Sequence, residues 1–148
     1  MKLRVARFDE LDPATLYAIL RLRVDVFVVE QSAPYPEVDG RDTEPATVHL
    51  WFEDGGRPVA YLRMLRDGGE ARIGRVCTAA THRGTGLAAR LMQAALDTLE
   101  PGTPCVLDAQ TQATGLYARF GFRISGDIYF DDGIEHVPMS LGPRGPAS

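Results

Sequence analysis

Lysine is nearly missing from this chain. Lys2 is the only one, and the other 15 of its 16 basic residues are arginine. A phosphate loop that ends in Gly-Lys followed by Ser or Thr is therefore excluded. Cysteine is scarce as well. Cys77 and Cys105 form no Cys-x-x-Cys pair, and each sits in an apolar, strand-like run. They read as buried, reduced thiols and not as a disulfide framework. His49, His82, His136 and Cys77 offer no closely spaced ligand pair, so no metal is expected. No apolar run reaches the ~20 residues of a membrane-spanning helix. Residues 1–8 alternate charged and apolar side chains and lack a signal-peptide core. A cytoplasmic location with no membrane partner is the expectation. The net charge of −4 lacks the basic excess of a nucleic-acid binder, so no nucleic-acid partner is expected. There are no internal repeats and no linker, and 148 residues suffice for one core. The chain is read as one domain over 1–148 with a frayed tail at 142–148.

What is present has clear local grammar. Residues 3–8 read as a strand. Asp12 suits an N-cap with Pro13 at the first helical position, and Leu16, Leu20, Val24 and Phe27 continue at helical spacing to about Val29. Residues 30–47 hold three prolines and many acids, an irregular excursion of the length that usually serves a site or a lid. Strands follow at 48–52, 59–65 and 70–78, separated by the turns Asp54-Gly55-Gly56 and Asp67-Gly68-Gly69. A helix over 84–99 is stopped by Pro101-Gly102. A short strand at 106–109, a helix at 111–120 ended by Gly121, and strands at 122–130 and 137–141 complete the order.

The segment Thr81-His82-Arg83-Gly84-Thr85-Gly86-Leu87-Ala88 joins the third of those consecutive strands to the long helix. A strand that turns through glycines into a helix leaves several N–H groups unpaired and aimed one way, at the positive end of the helix dipole. Arg83 adds a fixed cation. The turn reads as a cradle for a diphosphate. The dinucleotide fingerprint Gly-x-Gly-x-x-Gly is only half met, and no acid follows at a ribose-binding position.

The element order and Arg83-Gly84-Thr85-Gly86-Leu87-Ala88 resemble the GCN5-related N-acetyltransferase (GNAT) superfamily, whose signature is Arg/Gln-x-x-Gly-x-Gly/Ala. A second marker of that superfamily, a tyrosine four residues before Gly-Phe, is met by Tyr117 before Gly121-Phe122. The resemblance extends to the ElaA family over about Leu16 to Met139. It is carried by Phe27-Val28-Val29-Glu30-Gln31, Tyr35, Asp39, Asp42, His49, Ile73-Gly74-Arg75-Val76, Ala109-Gln110 and Asp131-Asp132-Gly133-Ile134-Glu135-His136. It implies an α/β (α+β) fold with a mixed, mostly antiparallel sheet of six to seven strands. About four helices would flank this sheet, which splays between its fourth and fifth strands.

The same resemblance implies acetyl-CoA as co-substrate and direct transfer of acetyl to a primary amine of a small molecule or peptide, within a ternary complex. The chain would work as a monomer or homodimer. The diphosphate would lie on Arg83, Gly84, Thr85, Gly86, Leu87 and Ala88. The pantetheine arm would pair with Val76, Cys77 and Thr78 near Gln110, with the Val76 N–H at the oxyanion. Tyr117 would be the general acid toward the leaving thiolate. For the base, Glu30, His49, His136 and Asp132 stay open, with Glu30 and His136 placed among the catalytic groups. Arg75, His49 and Asp132 are assigned to the acceptor, with pairing to Glu30 or to an acid of the 30–47 segment as the alternative for Arg75. The acids Glu37, Asp39, Asp42 and Glu44 would favour a cationic acceptor. A non-catalytic sensor of CoA or acyl-CoA is the alternative.

Overall fold

The computed structural model describes residues 1–142, so of the expected tail only Gly142 falls within it. Eight strands form one sheet: β1 (Lys2–Arg7), β2 (Val48–Asp54), β3 (Arg57–Asp67), β4 (Glu70–Thr78), β5 (Cys105–Gln110), β6 (Arg123–Ile124), β7 (Tyr129–Asp131) and β8 (Ile134–Leu141). Their order is β1-β2-β3-β4-β5-β8-β6, with β7 also paired to β8. Every neighbouring pair is antiparallel except β4 and β5. The parallel pair needs a crossover, supplied by α2 (Leu87–Asp97).

Period-two alternation divides the core between the two faces. Leu50, Phe52, Leu62 and Ile73 pack under α2 through Leu91, Met92 and Ala95. On the other face Trp51, Tyr61 and Cys77 meet Ile19, Leu22 and Val26. Those three come from α1 (Pro13–Val24) and from a single π-helical stretch that continues it over Asp25–Glu30. Asp12 caps α1 as its sequence suggests, accepting from the Thr15 N–H at 2.7 Å.

Two departures from regular pairing shape the middle of the sheet. Strands β4 and β5 pair only at Ala71–Cys105, Arg72–Val106 and Ile73–Leu107, then diverge. Opposite β3, the register shifts between Tyr61 and Arg63, so Leu62 faces both Arg75 and Val76. Arg75 sits at φ +55 in this bulge, a conformation that costs a side-chain-bearing residue energy and needs support from its surroundings.

A third departure divides the strand expected over 122–130 into β6 and β7. Pro138 on β8 accepts from the Ser125 N–H at 2.9 Å but has no N–H to donate on the same edge. The chain opposite bulges through residues 125–128, and Gly126 lies so close to the Pro138 ring that a Cβ there would stand 2.7 Å from it. Helix 84–99 likewise begins three residues late, because Gly84 and Gly86 adopt φ +78 and +80.

The 31–47 excursion is ordered by charge. Arg23 of α1, wholly buried, holds Glu37 at 2.6 Å and Asp42 at 2.7 Å. Arg63 of β3 holds Asp42 at 3.1 Å and also binds Asp39. Arg41 pairs with Glu44 at 2.9 Å. The acids expected to attract a cationic acceptor therefore face arginines of the fold itself. Burial opposes their ionisation, yet the Arg63 hydrogen bond holds the Asp39 carboxyl well below its ordinary value, and Arg23 does the same for Asp42.

Candidate active site

The divergence of β4 from β5 opens a cavity of about 490 Å³ through the sheet. Its walls include Ile73, Leu107 and Tyr117 from the α2 side and Val26 and Cys77 from the α1 side. A smaller hollow of about 150 Å³ adjoins it at the start of α2 and shares Thr78, Arg83, Ala88 and Leu116 with it.

That smaller hollow is built by the glycine turn. Gly86 is the N-cap of α2 and offers no side-chain cap, so the first-turn N–H groups are left for another acceptor. The space a Cβ would enter at Gly84 or Gly86 is open to 4 Å. Arg83 and Arg119 add positive charge to the lining. These features fit a diphosphate. Arg119 is absent from the sequence-based expectations, where its one signal is a place two residues after Tyr117 at the end of the expected helix. Thr85 turns its hydroxyl to the His82 carbonyl at 2.7 Å, serving the loop's shape.

Arg83 is held from two sides. Its Nε donates to the Thr78 carbonyl at 3.0 Å, and its two Nη atoms meet both oxygens of Glu30 at 2.7 and 2.8 Å. The Arg83 hydrogen bond outweighs the small effect of burial and lowers the Glu30 carboxyl, which weakens it as a proton acceptor. A second bridge spans the cavity: the side-chain amides of Gln31 and Gln110 donate to each other at 3.4 and 3.2 Å.

Tyr117 lies on α3 (Thr114–Ala118) in the wall of the main cavity and packs edge-on against Phe122, with ring centroids 6.4 Å apart. Burial, with Cys77 second, pushes its phenol up to about 12, so it stays protonated across the neutral range. Val76, Cys77 and Thr78 line the same cavity from the diverging end of β4. The Cys77 thiol is itself pushed up to about 12 by burial. Arg75 lines the cavity, but its guanidinium is held by Glu37 at 2.8 Å, Asp39 at 3.3 Å and the Tyr35 hydroxyl at 3.1 Å, and lies over the Tyr35 ring. These contacts anchor the strained bulge to the 31–47 excursion.

The remaining candidates separate. His136 lines the cavity, and its Nδ1 lies 2.8 Å from the Ile134 carbonyl. A carbonyl only accepts, so Nδ1 carries the hydrogen and the neutral ring keeps its lone pair on Nε2. His49 is not brought to the cavity. It is buried, with Nδ1 2.6 Å from the Tyr61 hydroxyl and Nε2 3.0 Å from the Asp42 carbonyl. Nor is Asp132, which occupies the β7–β8 turn with Gly133 at φ +49 and +78. Its neighbour Asp131 lines the cavity instead.

Among the described residues, no group of three or more His, Cys, Asp or Glu side chains is arranged to hold a metal, and no helix is long and apolar enough to cross a membrane.

Residues 18–142 match the family model described as acetyltransferase (GNAT) domain. The chain is 50% identical over 136 residues to a UPF0039 protein of Mycobacterium tuberculosis, covering 88% of this chain and 86% of that protein. Protein ElaA of Escherichia coli is 36% identical over 138 residues, covering 89% of this chain and 90% of that one. The crystal structure of Escherichia coli ElaA superposes with a TM-score of 0.90 at 34% identity, covering 95% of this chain and 99% of that chain. An acyl-CoA N-acyltransferase from Pseudomonas aeruginosa gives a TM-score of 0.87 at 38% identity with the same coverage.

Proposed function

Because the chain belongs to the GNAT acetyltransferase family, we propose that it transfers an acetyl group from acetyl-CoA to a primary amine by direct attack within a ternary complex. The observation that carries this reading is the cavity through the splayed sheet. It joins the open helix end at Gly86 on the α2 side to His136 on the other side, with Tyr117 in its wall. One molecule entering from each side would meet at the divergence of β4 and β5.

In this reading the first-turn amides of α2, Arg83 and Arg119 hold the diphosphate. The diverging edges of β4 and β5 offer backbone groups to the pantetheine arm. The Val76 N–H, beside the bulge, stabilises the negative charge that develops on the thioester oxygen. His136 Nε2 takes a proton from the amine, directly or through water. The C–N bond forms and the C–S bond breaks. Tyr117 gives its proton to the departing sulfur and regains one from solvent. A phenol near 12 matches this task, because it remains a donor while the thiolate leaves.

Tyr117→Phe tests the assignment. It should lower kcat by roughly 10²–10³-fold while leaving the Kd for CoA, measured by calorimetry, within about twofold. Equal turnover in the mutant would remove Tyr117 as the acid. Tight CoA binding with no thiol release across a broad amine panel would favour a sensor of CoA.

A further inference from the structure

The charged groups lining the cavity are compensated, with one exception. Glu30 pairs with Arg83, and Asp108 pairs with Arg72 at 2.8 Å. Arg63 and Arg75 pair with acids of the 31–47 excursion. Asp131 also lines the cavity, and among the described residues it has neither an ion pair nor a hydrogen bond through its side chain. It is half-buried.

The position of this carboxylate follows from strand geometry. In the β7–β8 hairpin, Tyr129 is opposite His136 and Asp131 is opposite Ile134. Alternation puts these four side chains on one face, and all four line the cavity, while Phe130 points away and is 68% exposed. Tyr129 and His136 stack with centroids 5.7 Å apart. The face therefore carries one unpaired negative charge, two stacked rings and the Nε2 lone pair of His136.

We infer that Asp131 binds a second cationic group on the acceptor, making the preferred acceptor a diamine or polyamine and not a simple monoamine. This inference rests on the acyltransferase reading above. Asp131 is assigned a group other than the reacting nitrogen for a chemical reason. A carboxylate paired to the attacking amine would stabilise its ammonium form and oppose the deprotonation that attack requires. The same carboxylate paired to a distal ammonium leaves the reacting nitrogen free to lose its proton to His136. Tyr129, on the same face, adds an aromatic wall suited to the alkyl chain and its charge.

The test compares three probes of equal chain length: 1,5-diaminopentane, 5-amino-1-pentanol and 1-aminopentane. Thiol release from acetyl-CoA is measured with the wild-type chain and with Asp131→Asn. Asp132→Asn, altering the turn residue that does not line the cavity, serves as the control. The wild type and the control should favour the diamine over the amino alcohol by about tenfold or more in kcat/KM. Asp131→Asn should bring that ratio to within about twofold, with the KM for acetyl-CoA unchanged.

A wild type without preference for the diamine, or an unchanged preference in Asp131→Asn, overturns the inference. If no probe turns over, calorimetric titration of the diamine and the amino alcohol into the CoA-loaded proteins gives the same comparison, with the same outcomes for and against. Failure to bind CoA, or to release thiol with any amine, would count against the acyltransferase reading instead.

Discussion

At the scale of single residues, the pairing of Arg83 with Glu30 sets two properties at once. The guanidinium is the cation of the glycine turn proposed to hold the diphosphate, and its Nη atoms face a carboxylate. Under the proposed function Glu30 would compete for the group that holds the donor, while Arg83 lowers the Glu30 carboxyl. The pair is exposed to solvent, so its strength is modest. Glu30→Gln is expected to tighten CoA binding by about threefold in calorimetry, whereas Arg83→Ala should weaken it by about tenfold. Weaker CoA binding in Glu30→Gln would show that the carboxylate orients Arg83 more than it competes for it.

Single residues also show where the sequence was ambiguous. Asp131-Asp132-Gly133 offers two acids for one site. Asp-Gly suits the centre of a tight hairpin, which assigns Asp132 to the turn and leaves Asp131 on the strand face. The Asp-Gly pair thus marks Asp132 as a turn residue in the sequence itself, against its expected place at the acceptor. His49 was different. Nothing in an apolar strand says which neighbours will satisfy an imidazole, and its two partners come from a residue on the adjacent strand and from the irregular excursion.

At the scale of elements, the 31–47 excursion is held by ionic contacts to Arg23, Arg63 and Arg75 and has little apolar core of its own. Its stability should follow pH in two stages. Burial lowers the pKa of His49 below its ordinary 6.5. As pH falls below 6.5, the unfolded chain takes up a proton that folded His49 refuses, so stability declines until the lowered pKa is passed. The slope is at most ~1.4 kcal/mol per pH unit for one such group. Asp39 and Asp42 are also depressed, so their contribution is present above the ordinary 3.8 and is lost as pH drops below it. Melting curves across this range should show both stages, and His49→Asn should remove the upper one.

Asp42→Asn leaves Arg23 and Arg63 buried and short of a countercharge, so it should cost about 3–5 kcal/mol in chemical denaturation. A much smaller loss would mean that Glu37 and Asp39 neutralise both arginines without it. The acidity of this segment was legible in the sequence, but its targets were not. Arg23, Arg63 and Arg75 are far away in the chain and look like surface residues until the sheet and α1 bring them inward. The structure thus gives these acids a structural task where the sequence suggested attraction of a substrate.

At the scale of the molecule, β1 to β4, α1 and α2 followed from alternation, turn residues and capping, because each of those signals is local. The divergence of β4 from β5 is set by strands distant in sequence, and only family resemblance anticipated it. A cavity walled by residues of both faces has room for both substrates to be present together. The one thiol in its wall, Cys77, is pushed up to about 12 and is a poor nucleophile at neutral pH. Incubation with acetyl-CoA alone should therefore leave the protein unacetylated by intact-mass measurement, and initial-rate plots against both substrates should intersect. A stoichiometric adduct on Cys77 would point to a two-step transfer.

The break at Pro138 has a consequence for association. An open sheet invites other chains to pair along its outer strands, and this one exposes Ile124, Ile128 and Phe130 beside its far edge. There the outer strands are only two and three residues long, separated by the bulge against Pro138. At the opposite edge, β1 carries Lys2, Arg4 and Arg7 along its length. One border is too short to template a partner strand and the other sets three positive charges against a copy of itself, so a sheet that diverges at its centre carries at both rims the devices that discourage edge pairing.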